Sequence, residues 1–276
     1  MPRPRKKPIE RLTSARRGSG RGEDRQFVSA LARGLDVMRT FGLEDQWLGN
    51  QEIAEKSRLA KATVSRLTYT LTKLGYLIYD EETRKYGLAV GALSLVQPIL
   101  KRIELRHLVR PFLKAYADTV NAAVGLGSAD GLDALYLDVC RGKEAVTLRL
   151  DPGSRIDLPT SAMGRALYAA MDEAGREEVL KAVRKRDGRN AARIERGLAN
   201  AVQDVKELGY CYSAGDWNPD VNGVGVPLQI RQHDMVFALN CGGAAWTMPV
   251  ARLHKEIGPG LARVAQQVAA QKLSLG

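Results

Sequence analysis

Cysteine is scarce in this sequence, and its spacing excludes two kinds of structure. The three cysteines lie too far apart for a zinc-binding motif or a disulfide framework: Cys140, Cys211 and Cys241. The three histidines are also scattered over different elements, and their spacing to carboxylates and cysteines suggests no site: His107, His233 and His254. We therefore predict no metal site and no cofactor, and the free thiols suit the reducing cytoplasm.

Long apolar runs and enzyme motifs are missing as well. No run of about 18 apolar residues is present to span a membrane, and the N-terminus lacks the apolar segment of a secretory signal. We find no Gly-x-Ser-x-Gly elbow, phosphate loop, dinucleotide fingerprint or His-Glu-x-x-His pair. Cys241 beside a glycine pair is a candidate nucleophile, but a cysteine in a buried strand is usually inert. We expect a cytoplasmic protein that is not an enzyme.

Positive charge is present in excess, and it is concentrated at the N-terminus. Residues 1–25 hold nine lysines and arginines against three acids, more than half of the formal net charge of +11. Prolines and glycines interrupt this segment and apolar residues are few, so we predict a disordered basic tail. Two roles remain open for it: a mobile arm that grips phosphates, or a solubilising tail.

Residues 26–89 show the apolar spacing of a small helical domain. A first helix, capped by Ser29, is predicted from an inward stripe: Leu31, Leu35, Met38 and Phe41. A short second helix starts at the N-cap Asn50 with Ile53 and Ala54 facing inward, and a turn at 57–59 follows. A third helix runs from about Lys61 to Leu74 and ends at Gly75. Its inward residues are expected to be Val64, Leu67, Leu71 and Leu74.

The outer face of the third helix is free of acids and rich in donors. No acidic residue lies between Lys56 and Tyr79, where five basic residues occur with a dense set of hydroxyls: Thr63, Ser65, Thr68, Tyr69, Thr70 and Thr72. Such a helix fits the major groove of DNA, where arginine reads guanine edges. Two short strands, 76–79 and 84–88, surround the polar turn 80–83 and resemble a wing. A solvated helix with an ordinary hairpin is the alternative reading.

Taken together, the short helix, tight turn, acid-free helix and wing favour double-stranded DNA as a partner. The whole segment 26–89 balances nine basic against eight acidic side chains. Attraction to phosphates must therefore come from this local face and from the tail. The candidate DNA-contacting residues are Arg58, Lys61, Thr63, Ser65, Arg66, Tyr69, Arg84 and Lys85.

Four segments resemble the IclR family of bacterial transcription regulators in their order and spacing. They are SALARGLDVM from Ser29, NQEIAE from Asn50, KATVSRL from Lys61 and LGYL from Leu74. The resemblance implies that Asn50 to Tyr69 form the helix-turn-helix proper. Ala60 departs from the family, which often has proline there, and this shifts the helix start slightly because alanine is a strong helix former.

Residues 90–106 are expected to form a linker helix. Its apolar stripe is interrupted at Pro98, where a bend or break is expected: Leu93, Val96, Leu100 and Ile103. Pro111 is predicted to open the next helix, which carries Phe112, Ala115 and Tyr116. The resemblance implies dimer contacts near the linker. Two recognition helices related by a twofold axis also read a pseudo-palindrome better than one.

Residues 107–276 alternate strands and helices, as in an α+β domain. A hairpin joins 122–127 to 132–140, a strand is expected at Val146–Leu150, and the polar segment Asp151–Pro159 is expected to be a loop. A long helix after Asn190 is predicted to bury residues 194, 198, 202, 205 and 208, and Gly258-Pro259-Gly260 to break the last helix. The resemblance implies a GAF/profilin-like antiparallel-sheet effector domain that also mediates oligomerisation.

The loop-to-helix junction at 160–164 is the candidate effector site. Free N–H groups at a helix N-terminus bind anions, so a small carboxylate could bind there, while simple capping is the alternative. By resemblance, 158–167 and 236–243 border the family's effector pocket. Asn240 and Gly242 stand where the family has serines, and Ile230 where some members are acidic. The predicted residues are Thr160, Ser161, Met163, Gly164, Asn240 and Gly242. Trp217 either closes on the ligand or packs against the sheet.

These patterns lead to one predicted function. We expect a dimeric or tetrameric regulator that binds a pseudo-palindromic operator and responds to a small organic acid or aromatic catabolite. Two alternatives remain open: a small-molecule-binding enzyme with an incidental helix-turn-helix, and an effector-independent DNA-binding protein. The predicted division is a tail (1–25), a winged helix-turn-helix (26–89), a linker (90–106) and an effector domain (107–276).

Overall fold

The computed structural model describes residues 27–42, 45–96, 105–143, 150–232 and 235–275, which form two compact units divided between residues 103 and 104. The basic tail, the bend at Pro98 and most of the strand expected at Val146–Leu150 lie outside the described residues. Each unit is considered separately below.

The described part of the first unit contains three complete helices, a small antiparallel sheet and the helical residues 93–96. The helices are α1 (Ser29–Met38), α2 (Asn50–Ser57) and α3 (Lys61–Lys73). The strands β1 (Trp47–Leu48), β2 (Leu77–Asp80) and β3 (Lys85–Leu88) pair in the order β1-β3-β2. A 3₁₀ turn follows at Val90–Ala92. The three helices and the β2–β3 hairpin are thus confirmed, while β1 was not predicted because two residues are too few to show alternation.

The core of the first unit differs from the predicted stripes. Val37, Ile53 and Val64 are fully buried, and Gly75, with φ of 75°, terminates α3 as predicted. The expected inward residues Leu31, Leu35 and Leu74 are instead 63%, 45% and 63% exposed. Helical spacing identifies the apolar face of a helix, but it does not show how much of that face the same chain covers.

Two polar details of this unit were also predicted wrongly. Gly49, not Asn50, occupies the N-cap of α2, and its N–H donates to Glu52 Oε2 at 2.7 Å. Ser29 is the first residue of α1 and makes no capping bond; Val28 holds the N-cap position. In both cases the helix starts at the residue that was expected to be its N-cap, which is one position earlier than predicted.

The second unit is a six-stranded antiparallel sheet flanked by helices. Its strands pair in the order β6-β5-β4-β9-β8-β7: β4 (Ala123–Asp130), β5 (Asp133–Arg141), β6 (Arg155–Asp157), β7 (Cys211–Ala214), β8 (Val221–Gln232) and β9 (Met235–Ala244). The helices are α4 (Leu105–Val120), α5 (Ala162–Ala170), α6 (Glu173–Asp187), α7 (Ala191–Leu208), α8 (Val250–Arg252) and α9 (Gly258–Leu275). The predicted α+β class is confirmed.

Pro111 does not open a helix as predicted. Pro111 lies inside α4, exposed to solvent, while Leu105, Val109 and Leu113 are buried on the other face. The apolar residues of α4 that pack inward hold the helix despite the missing N–H. Of the residues predicted to belong to this helix, Phe112 and Tyr116 are half-buried, and Ala115 is exposed.

The last helix is not broken at Gly258-Pro259-Gly260. A π-helical turn, Leu253–Ile257, precedes it and runs directly into α9. The two glycines serve packing, because a Cβ at Gly258 would lie 2.4 Å from the Tyr210 ring and one at Gly260 2.4 Å from the Tyr116 hydroxyl. The close approach of two aromatic rings, rather than a helix stop, requires glycine here.

Three further expectations for this unit were incorrect or incomplete. The segment Asp151–Pro159 contains the edge strand β6, which pairs with β5 through Ile156 and Ala134. Leu208 at the end of α7 is 47% exposed, although Ile194 and Leu198 are buried as predicted. The helix α6 was not predicted, because its mostly charged sequence shows a weak apolar stripe with only Val179 and Val183 buried.

Candidate functional sites

The first candidate site is the exposed face of α3. Ser65, Arg66 and Tyr69 point to solvent, while Val64 and Leu71 on the opposite side are buried. Lys61 at the helix start is exposed and donates to Gln51 Oε1 at 3.0 Å, which links the basic face to α2. The helix therefore presents one polar face without an acidic residue.

The hydroxyls of α3 fall into two groups. Thr68 is fully buried, and its Oγ1 donates to the Val64 carbonyl at 3.0 Å. Contrary to the prediction, it is therefore not part of the outer face. Thr70 and Thr72 also donate to carbonyls one turn earlier. Thr63 and Ser65 make no such bond within the described residues. The hydroxyls available to a partner are thus those in the first half of the helix.

Two arginines beside α3 have left-handed backbones. Arg58, in the turn between α2 and α3, has φ of 58°, and Arg84, at the end of the wing turn, has φ of 54°. A side chain in this region is disfavoured, and glycine or asparagine is the usual residue. Both side chains are exposed, and neither pairs with an acid in the part of the chain that the structure describes. Arginine at these positions costs backbone energy, and no ion pair among the described residues offsets that cost.

The surface of the wing is less positive than its basic residues Arg84 and Lys85 suggest. Lys85 lies 3.6 Å from Glu52 and is half-buried. A hydrogen bond from Thr83 holds the pKa of the Asp80 carboxyl below its usual value, so this acid stays charged. With Glu81 and Glu82 also exposed on the turn, the positive surface is concentrated on α3 and the α2–α3 turn.

The second candidate site is a cavity on one face of the large sheet. Its volume is about 570 Å³ when the space of its open mouth is included. Apolar side chains and four glycines form most of its wall, together with a small set of polar residues: Tyr136, Ser161, Ser213, Trp217, Asn222 and Asn240. None of the described lining residues is charged.

Asn240 and Tyr136 form a buried polar pair in this wall. Asn240 Nδ2 donates to the Tyr136 hydroxyl at 2.9 Å, although the two residues lie on β9 and β5, 104 positions apart. Burial raises the pKa of the Tyr136 phenol, so it remains a protonated donor. Asn240 Oδ1 has no hydrogen-bond partner among the residues that the structure describes. An unpaired buried acceptor costs about 1–3 kcal/mol.

The other polar groups of the wall are already engaged in structure. Ser161 Oγ accepts the Gly164 N–H at 3.1 Å and caps α5, while Ser213 Oγ donates to the Thr160 carbonyl at 2.8 Å. Asn222 Nδ2 donates to the Met248 carbonyl at 2.9 Å. Asn240 thus differs from these neighbours in keeping an unpaired buried oxygen.

The structure brings together only some of the predicted effector residues. Ser161, Asn240 and Gly242 line the cavity, whereas Thr160, Met163 and Gly164 are not part of its wall. Thr160 donates to Asp157 Oδ2 at 2.6 Å, and Met163 packs fully buried in the core. A Cβ at Gly164 would lie 2.1 Å from the Leu158 carbonyl oxygen, so this glycine is required by packing.

Trp217 lines the cavity from a loop that is anchored to α5. The half-buried indole packs against the core, and it faces the cavity as well, so both readings of this residue describe part of its position. The neighbouring Asp216 pairs with the largely buried Arg165 at 2.9 Å. Arg165 also donates to the Tyr212 carbonyl at 2.9 Å, which fixes the anchor.

The candidate nucleophile Cys241 is not placed for catalysis. Cys241 is fully buried, and burial raises its thiol pKa to about 12, so it is not a nucleophile at neutral pH. The described residues contain no group of three metal-ligating side chains, and His233 lies outside them. Among the helices that can be described, none has the length and apolar character to cross a bilayer.

Comparison with known proteins gives matches to both units. The IclR helix-turn-helix domain matches residues 30–81, and the domain described as bacterial transcriptional regulator IclR C-terminal matches residues 97–274. The HTH-type transcriptional regulator TsaQ1/TsaQ2 of Comamonas testosteroni is 31% identical over 247 residues, covering 89% of this chain and 88% of the relative.

Solved structures agree with these matches. An IclR family transcriptional regulator from Brucella abortus is 42% identical, with a TM-score of 0.76 over 92% of this chain and 96% of that one. An IclR homologue from Microbacterium hydrocarbonoxydans, complexed with 4-hydroxybenzoate, is 21% identical, with a TM-score of 0.63 over 86% and 99% of the two chains. The second comparison shows a common fold.

Proposed function

The chain belongs to the IclR family of bacterial transcriptional regulators, and we propose that it is a cytoplasmic, effector-controlled regulator that binds a pseudo-palindromic operator through α3. Like its relatives, it is a transcriptional regulator and not an enzyme. The observation that carries the proposal is the acid-free exposed face of α3, with Lys61, Ser65 and Arg66 open to a partner.

Arg66 is the residue proposed to read a base. It lies near the middle of the exposed face, its guanidinium has no acidic partner among the described residues, and arginine makes bidentate bonds to guanine. Arg58 and Lys61 flank it at the helix start and are proposed to contact phosphates, with Thr63, Ser65 and Tyr69 completing the surface. Arg84 and Lys85 are proposed as peripheral contacts, because the wing carries acids beside them.

A homodimer is proposed from the apolar surface of the first unit. Val28, Leu31 and Leu35 leave one side of α1 exposed, and more apolar residues follow the wing: Val90, Leu93, Leu95 and Val96. Large exposed apolar patches of a protein often mark a protein contact. A second copy related by a twofold axis would cover it and present two α3 helices to one operator. Further pairing to a tetramer is compatible with this arrangement.

The effector is proposed to bind in the cavity of the second unit. The wall is concave and mostly apolar with few polar groups, as ligand pockets are. A small organic acid or aromatic catabolite is the proposed class, and the homologue in complex with 4-hydroxybenzoate supports it. Bound effector is proposed to change operator affinity, and such coupling is typically about 1–3 kcal/mol.

The DNA-binding proposal is tested by the substitution Arg66→Ala. An operator is first selected from random duplexes with the wild-type protein, and binding is then measured by fluorescence anisotropy. We expect Arg66→Ala to lose about 1–3 kcal/mol on the selected sequence and to accept other bases at one position.

Arg189→Ala is the matched control, since Arg189 is exposed in the second unit and its loss removes the same charge. It should bind the operator as the wild type does. Failure of the wild type to select any sequence contradicts the proposal. Equal weakening of Arg66→Ala on all sequences instead makes Arg66 a phosphate contact.

A further inference from the structure

Gly242 of β9 is a glycine that the fold itself does not require. Its φ is not positive, and a Cβ at this position would meet nothing closer than 3.6 Å, an ordinary van der Waals distance. Two other glycines of the cavity wall differ from it. A Cβ at Gly125 would lie 2.6 Å from the Tyr136 ring. A Cβ at Gly223 would lie 3.1 Å from the Cys241 carbonyl oxygen. At Gly242 the fold has room for a side chain that the sequence does not supply.

A glycine at this position lowers the stability of the protein. Gly242 lies in the interior of the sheet, between Ala123 of β4 and Gly223 of β8. Glycine loses more conformational freedom on folding than alanine does, and it adds no side chain to the packing of a strand. A glycine in such a place often marks the close approach of a ligand. Since Gly242 also lines the cavity, a ligand is the partner that this position favours.

A buried hydrogen-bond donor borders the same space. Asn240 Nδ2 is 3.9 Å from the Cβ position of Gly242, and the two residues lie on the same face of β9. The Nδ2 atom carries two N–H groups, of which one donates to the Tyr136 hydroxyl. The second has no acceptor among the residues that the structure describes. Because Asn240 is only 8% exposed, bulk water has little access to this N–H, and a ligand oxygen above Gly242 would accept it.

The other surroundings of this space define the rest of the ligand. The Asn222 carbonyl oxygen lies 3.6 Å from the Cβ position of Gly242. This contact suits a carbon atom of the ligand, since an oxygen there would face another oxygen. Val139 and Ile156 contribute apolar wall to the cavity, and Trp217 contributes an aromatic one. These groups favour a ligand with an apolar body and one end that accepts a hydrogen bond.

We propose that Gly242 determines the specificity of the cavity: an aromatic acid lies directly against β9 at this glycine, and one of its carboxylate oxygens accepts the second N–H of Asn240. The inference rests on the proposed function, because it concerns the ligand of the same cavity. It moves the carboxylate contact from the start of α5 to β9. By resemblance the family has serine at position 242, and a serine side chain would occupy this space. The cavity of this chain therefore accepts a ligand that a serine here excludes.

The test compares full-length Gly242→Ala with the wild type. We expect the added methyl group to raise the unfolding temperature by about 1–3 °C, because alanine fits this space and removes the entropic cost of glycine. The probe is benzoate, titrated by isothermal titration calorimetry. Gly242→Ala should bind benzoate at least about tenfold more weakly than the wild type, since the methyl group takes the place of the ligand. A variant that is more stable and binds less tightly has lost space kept for a ligand.

Gly243→Ala is the matched control at the next residue of β9. A Cβ there would lie 3.4 Å from Met248 Sδ, on the other face of the strand, so benzoate affinity should equal that of the wild type. Benzylamine has the same ring with a protonated amine in place of the acceptor. It should bind the wild type at least about tenfold more weakly than benzoate, because it leaves the Asn240 N–H unpaired. Asn240→Leu should remove this difference between the two probes.

Several results would overturn the inference. Equal benzoate affinity in Gly242→Ala and the wild type contradicts it, as does equal binding of benzylamine and benzoate by the wild type. A Gly242→Ala protein that is less stable or does not fold shows that the glycine serves packing. Operator binding separates the inference from the function on which it rests. A wild-type protein that binds the selected operator but no benzoate refutes the inference alone, and one that binds no operator refutes the proposed function.

Discussion

At Arg58, stability and DNA binding are expected to favour different residues. It closes α2 with φ of 58°, where glycine would be unstrained, and its exposed side chain makes no ion pair within the described residues. Residues that hold such conformations often belong to functional surfaces. The position beside α3 suggests that the guanidinium is retained for a phosphate.

Replacing Arg58 by glycine should therefore separate the two effects. We expect Arg58→Gly to raise the free energy of unfolding by about 1 kcal/mol, because the left-handed backbone is no longer disfavoured. It should also lower the slope of log affinity against log salt by about one, since one phosphate contact is lost.

Chemical denaturation and salt titrations of operator binding provide the two measurements. Arg58→Lys keeps both the strain and the charge, so it should resemble the wild type in each. Stabilisation without any loss of DNA affinity would show that Arg58 has no role at the interface.

Among the elements, the loop at residues 215–220 connects the cavity wall to α5. It carries Trp217 into the cavity, and its anchor is the ion pair between Asp216 and Arg165. The Arg165 side chain is only 10% exposed, whereas Asp216 is 38% exposed. The pair therefore orders the loop more than it stabilises the fold, because solvent screens the aspartate.

Asp216→Ala should loosen this loop. We expect faster amide hydrogen exchange at residues 215–220 and weaker binding of any ligand that contacts Trp217, with an unfolding free energy lower by about 1 kcal/mol or less. Hydrogen-exchange mass spectrometry and calorimetry measure the two changes. Asp220→Ala removes an exposed carboxylate from the same loop and is the control. Equal exchange in both variants would argue against the anchor.

At the scale of the whole molecule, charge is distributed unevenly along the chain. Residues 1–25 carry nine basic side chains, whereas residues 26–89 are almost neutral in total. The positive face of α3 is small, so a basic arm would supply much of the long-range attraction to DNA. These N-terminal residues lie outside the described part of the chain, and their role is a proposal.

Deleting residues 1–24 should flatten the salt dependence of operator binding. Each phosphate contact that is lost reduces the slope by roughly 0.9, so we expect a clear decrease with the base preference unchanged. A full-length variant with the eight basic residues of positions 1–24 changed to glutamine should behave like the deletion. An unchanged slope in both proteins would leave solubility as the role of the segment.

Local pattern was sufficient to predict three helices and the hairpin of the first unit and some elements of the second. The three helices, the hairpin after α3 and the β4–β5 hairpin follow from residue spacing and turn residues, because the interactions that form them join neighbours in the chain. The same spacing gave the wrong burial for Leu31 and Leu35, because periodicity identifies the apolar face of a helix and not what covers it.

Tertiary structure alone placed Tyr136 against Asn240. Neither residue has a local signal that names its partner, and the contact depends on β4 pairing with both β5 and β9 across the sheet. It also revealed that Gly164 is needed for packing while Gly242 leaves open space. Short-range periodicity encodes elements, but a cavity arises from strand register and from side chains that stay unpaired, which are properties of residues far apart in sequence.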